Sequence, residues 1–135
     1  MADTQDSKAR HDYLVYARQK LWSSVRILAV LPGDVRSRLK EAFTELAILR
    51  TDELPPEVTQ EIKLITSEMT KYQPSSRWQD GPVEATMSRI RRATGVGIAI
   101  KIVDLYEKID RLCEAEVPSP PRVGAAAHSV KGRWH

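Results

Sequence analysis

The stretch Gly81–Leu112, GPVEATMSRIRRATGVGIAIKIVDLYEKIDRL, decides how the chain folds. At about 100° per residue, Val83, Met87 and Ile90 share one helical face, and Ile98, Ala99, Ile102, Leu105, Tyr106, Ile109 and Leu112 share another. On a single straight helix the second stripe is turned by about 90° from the first, so both cannot face one core. A break is required, and Thr94-Gly95-Val96-Gly97 is where it is cheap, because Thr94 can cap and glycine tolerates turn dihedrals. The spacing predicts two helices, roughly 82–93 and 96–114, meeting at a glycine elbow. Val96, Ile98, Ile100 and Ile102 also alternate with Gly97, Ala99 and Lys101 as a strand would. No other segment offers that strand a neighbour, and Asp104–Arg111 is helical in pattern, so the helix is preferred.

The same stretch carries the one local ligand signal. Arg89, Arg91, Arg92 and Lys101 have no acid among them from Met87 to Val103. A helix starting at Gly95-Val96-Gly97 would set free N–H groups beside these cations, as anion sites do. Gly95 and Gly97 lack the spacing of either a Walker A loop or a dinucleotide fingerprint, however. The bland reading, a solvated basic face paired with nearby carboxylates, therefore leads. Acidic protein surface and nucleic-acid phosphate are the ligands the patch would otherwise take.

Upstream, three more helical patterns lead into this stretch. From Lys8 to Leu31, Leu14, Ala17, Leu21, Val25 and Leu28 recur at spacings of three and four, with Val15, Trp22 and Ala29 widening the stripe. Val35, Leu39, Ala42, Phe43, Leu46 and Leu49 mark a second helix, and Val58, Ile62, Ile65, Met69 and Tyr72 a third. The starts of these two match at an offset of 23 residues: Leu31/Leu54, Pro32/Pro55, Asp34/Glu57 and Val35/Val58. Proline near the first turn, an acid at the positive helix end and a leucine–valine staple are shared helix-start chemistry, reused in part at Gly81-Pro82-Val83-Glu84. That is convergence on one grammar, not evidence of a repeat.

The flanks read differently. Residues 1–7 are polar and expected to be a disordered N-terminus, residues 8–115 form the helical domain, and residues 116–135 form a disordered basic tail rich in proline and small residues. The chain has 135 residues, 41% hydrophobic but only 6% aromatic, so aliphatic side chains must fill the core. Its net charge of +3 resides in Arg122, Lys131 and Arg133, which weakens any argument for nucleic acid from net charge. A lone cysteine, Cys113, excludes an intramolecular disulfide and fits a reducing, cytoplasmic setting. The polar start MADTQDSKARHD and the lack of any window near 18 apolar residues lead us to expect neither a secretory signal nor a membrane span.

Sites for chemistry are sparse. His11, His128 and His135 make no zinc spacing with one cysteine, and no nucleophile elbow appears. Arg122 and His128 are spaced as R-x5-H, which resembles the ribonuclease motif of HEPN-type helical nucleases. In that family a helix aligns the pair in a dimer cleft. Here it follows Pro118-Ser119-Pro120-Pro121, where nothing preorganises it, so no catalytic residue is assigned. Trp78 beside Arg77, and Trp134 beside Arg133, stand outside the periodic segments and suit partner docking.

The sequence thus predicts an all-α bundle of about five mainly antiparallel helices. It points to a non-enzymatic protein–protein interaction module, an adaptor or regulatory subunit, with a protein partner or a homodimer. Neither a cofactor nor a metal, a small-molecule substrate nor a membrane is expected. The second reading is a nucleic-acid-associated helical protein using the basic patch.

Overall fold

A computed structural model describes residues 2–77 and 80–116. The elements are α1 (Ala2–Val30), α2 (Val35–Ala47), a short 3-10 turn (Thr51–Glu53), α3 (Pro56–Met69), α4 (Pro82–Arg89) and α5 (Arg92–Glu116). All regular structure among the described residues is helical, and none of these helices is long and apolar enough to cross a membrane.

Side-chain pairs give the directions. Lys20 meets Glu45 and Ser24 meets Ala42, so α1 and α2 run antiparallel. Arg18 meets Asp110 and Trp22 meets Tyr106, which sets α5 antiparallel to α1. Glu61 pairs with Lys108 and Glu68 with Lys101, so α3 is antiparallel to α5 as well. The short α4 packs on α2 and α3, held to α2 through Lys40 and Glu84. α5 touches α1, α2 and α3, and α2 touches α1, α3, α4 and α5.

The aliphatic stripes expected from the sequence build the core. Leu14, Ala17 and Leu21 of α1, Leu39 and Leu46 of α2, Val58 and Ile65 of α3, and Ile98, Ile102 and Ile109 of α5 are all buried. Two hydroxyls join them. Ser24 donates to the carbonyl of Ala42 at 2.7 Å, which lets α1 and α2 approach over a small residue. Thr86 accepts from the Tyr72 N–H at 2.9 Å, satisfying a backbone donor three residues beyond the end of α3.

Several boundaries differ from expectation. α1 begins at Ala2, where a disordered segment to residue 7 is predicted. The matched starts at Pro32 and Pro55 do not occupy equivalent positions. Pro55 is the N-cap of α3 with Pro56 in its first turn, whereas Pro32 lies two residues before Asp34, the N-cap of α2. Asp34 accepts from the Arg36 N–H at 2.8 Å, so α2 starts on a side-chain cap and α3 on a proline. Gly33 and Gly81 carry the positive φ values, 102° and 90°, that turn the chain into α2 and α4.

The break in the deciding stretch exists, but not at the glycines. α4 ends at Arg89, Ile90 is extended (φ −75°, ψ 157°), and α5 starts at Arg92. Thr94, Gly95, Val96 and Gly97 are all inside α5, and the Gly95 N–H donates to the Arg91 carbonyl. The elbow sits four residues earlier because its freed carbonyl has a partner there: Arg36 of α2 donates to the Ile90 oxygen at 3.0 Å. The strand alternative for residues 96–102 is likewise replaced by helix.

The two glycines do different work in α5. A Cβ on Gly95 would meet Val35 Cγ1 and Arg36 Cγ at 3.2 Å, so its bare backbone sets how closely α5 lies on α2. A Cβ on Gly97 would meet nothing within 4 Å. Gly97→Ala is therefore expected to stabilise the fold by about 0.5–1 kcal/mol through helix propensity. Gly95→Val should destabilise it by about 1–3 kcal/mol through overpacking. Urea denaturation of both variants checks the opposite signs.

Candidate functional site

Two neighbouring features sit where α1 ends, α2 begins and α5 begins. The first is a polar knot on Asp34. Its carboxylate accepts from the backbone N–H and the Nε of Arg36, both at 2.8 Å, and from Arg92 Nε at 3.2 Å. Arg36 then reaches the Ile90 carbonyl, while Arg38 donates to the carbonyls of Gly33 and Leu28. The guanidinium of Arg36, backed by its own N–H, holds the Asp34 carboxyl well below the usual carboxylate range.

The second is an apolar groove of about 390 Å³ between α1 and α5. Leu28, Val35, Val96, Ala99, Ile100 and Val103 form its walls and floor, with Arg38 and Asp104 at the rim. It shares Val35, Arg38 and Val96 with a hollow of about 440 Å³ that Gly33, Asp34 and Arg92 complete, so two arginines and one carboxylate lie at the start of α5. Val96 is 44% exposed and Ile100 54%, far more than the aliphatic residues on the core side of the same helix. Further along, Trp22 stacks at an angle on Tyr106 with ring centroids 5.9 Å apart, and half of Trp22 remains exposed. The apolar surface thus follows the α1–α5 seam.

The structure disperses most of the basic residues singled out in the sequence. Arg92 is bound to Asp34 at the head of α2. Lys101 is paired with Glu68 of α3 at 2.6 Å, on a different side of α5. Arg89 lies with its guanidinium carbon 5.2 Å from the Tyr72 ring centre, beside Lys71 over the same ring. Arg91 is exposed at the break. Gly95 and Gly97 do not open a helix, so the anion cradle expected of them is not formed, since their N–H groups belong to the first turns of α5. Trp78, Arg133 and Trp134 lie outside the described residues, as do Arg122 and His128.

The groove residues were only partly visible in advance. Ala99 belongs to the expected buried stripe, but Val96 and Ile100 figure in the sequence only as a strand-like alternation. The available signal was an apolar excess: between residues 96 and 103 every residue but Gly97 and Lys101 is aliphatic. A helix apolar nearly all round is normally covered on every side.

A larger cleft of about 640 Å³ lies between α1 and the 3-10 turn, walled by Arg10, Asp52, Glu53 and Pro55 among others. Among the described residues no three His, Cys, Asp or Glu side chains gather as metal ligands. Compared with known proteins, the chain matches no family model, no curated protein and no solved structure.

Asp34 yields a pH prediction. Its folded pKa is depressed below the unfolded value, so its contribution to stability is fully present above about pH 4 and is lost as pH falls through the folded value. Asp34→Asn keeps the helix cap but has no charge to lose. Thermal melts are expected to show the wild type more stable than Asp34→Asn at neutral pH, with the gap shrinking steadily below pH 4.

Proposed function

We propose that this protein is a small helical protein–protein interaction module, without catalytic activity, that docks through the α1–α5 seam. The observation that carries the reading is the exposure of Val96 and Ile100 on α5, which packs against α1, α2 and α3, beside Leu28 and Val103. An aliphatic stripe on a rigid, three-sided helix presents preformed apolar area, which is what a docking helix needs. The half-exposed Trp22 adds an aromatic anchor at one end of the seam, and Arg38 and Arg92 add donors at the other. A cytoplasmic setting is part of the proposal and is supported by the chain's one cysteine, Cys113, which is buried and has no second cysteine in the chain to pair with.

The nucleic-acid reading draws less support. Two of its four cations, Arg92 and Lys101, are paired with carboxylates from different helices, so they do not form one phosphate-facing surface.

Ile100→Asp tests the docking reading, since the side chain is exposed and its loss should leave the fold within about 0.5 kcal/mol of wild type. The full chain is expected to associate, with itself or with another protein, in stoichiometric amounts that survive purification and sedimentation. Ile100→Asp should lose that association while its far-ultraviolet circular dichroism and melting stay unchanged. A chain that sediments alone and recovers no protein, with or without the substitution, would sink the proposal.

A further inference from the structure

Resting on that docking reading, we infer that the occupant of the seam is a second copy of this chain, with α5 pairing antiparallel to α5 about a two-fold axis between Ala99 and Ile100. The order of residues on the exposed face of α5 sets the pairing. At about 100° per residue, Arg92, Val96, Ile100, Val103 and Glu107 fall within an arc of about 80°. Arg92 and Glu107 are both exposed, Val103 is half-buried, and Val96 and Ile100 are the exposed aliphatics between them. The face therefore reads cation, apolar, apolar, apolar, anion over about 22 Å of helix.

That order is self-complementary only in the antiparallel sense. A two-fold axis between Ala99 and Ile100 sets Arg92 against Glu107 of the second copy, Val96 against its Val103, and Ile100 against its Ala99. Each contact then occurs twice, as an isologous interface demands. Ala99, with one methyl group, sits at the crossing point and lets the two helices close on each other. The charge layout of the groove leans the same way: Arg38 and Arg92 outnumber Asp34 at the end where α5 begins, and Asp104 lies toward the other. A parallel pairing would instead stack Arg92 on Arg92 and Glu107 on Glu107. The bond from Arg92 to Asp34 does not prevent the pairing, because the Arg92 side chain is still 75% exposed and has further N–H donors to offer.

Sedimentation equilibrium of the full chain, with charge reversals, tests this. The wild type is expected to dimerise at concentrations below about 100 µM. Arg92→Glu and Glu107→Arg should each weaken the dimer by about tenfold, because each places like charges together at both ends of the interface. The double variant in one chain should return to within about threefold of wild type. Mixing the two single variants should do the same, since that heterodimer carries an attractive pair at each end. The mixture uses the same two proteins that fail alone, so recovery cannot be mistaken for restored folding, and Glu107 lies about 22 Å along α5 from Arg92, the residue bonded to Asp34. A dimer indifferent to the reversals would overturn the antiparallel pairing. A monomer at about 100 µM that still captures another protein through Ile100 would overturn the second copy as occupant and leave the docking reading standing. A monomer that captures nothing would overturn both.

Discussion

The carboxylate of Asp34 is the point through which three helix ends are joined. It caps α2, holds the guanidinium of Arg36 and draws in Arg92 from the first turn of α5. Arg36, so placed, satisfies the carbonyl that the α4–α5 break releases at Ile90. A helix broken without such a partner would bury or strand an acceptor at a cost of about 1–3 kcal/mol. The site of the break is therefore decided by a side chain 54 residues upstream, not by local backbone flexibility. With the break at Ile90 and Arg91, α5 runs unbroken through Gly95 and Gly97.

That placement has a packing consequence. α5 gains a full turn at its N-terminal end, and the turn is seated on α2 through the missing side chain of Gly95. Close seating there turns Ile98 and Ile102 into the core and leaves Val96 and Ile100 facing outward beside Leu28. One glycine thus links the interior of the bundle to the surface proposed for docking. The exposed aliphatics are the remainder of a helix that is apolar nearly all round when its own bundle covers only three sides.

Much of the candidate site was hidden from a reading along the chain. Arg89, Arg92 and Lys101 look like one patch because no acid lies between Met87 and Val103. Their neutralising partners are distant in sequence: Asp34 for Arg92 and Glu68 for Lys101, with Tyr72 beneath Arg89. Charge runs are judged locally in a sequence, whereas ion pairs form across helices. The groove was hidden for a related reason. Its walls come from Leu28, Val35 and Ile100, which belong to three helices, and no periodicity in one helix reveals a surface shared among three.

Helix type, number and core-facing stripes were determined by the sequence itself, because period-3.6 burial is a property of each segment alone. Leu39, Ala42, Phe43 and Leu46 of α2, and Val58, Ile62, Ile65 and Met69 of α3, are buried as their spacing requires. The phase difference between the Met87 and Ile102 stripes likewise demanded a break within the deciding stretch. Where that break fell, only the tertiary structure decided. Two local solutions were open: a glycine pair that is flexible, and an Ile90–Arg91 step that is not. The second prevailed because Arg36 and Asp34 could compensate it and because Gly95 was needed, as a helical residue, to let α5 lie against α2.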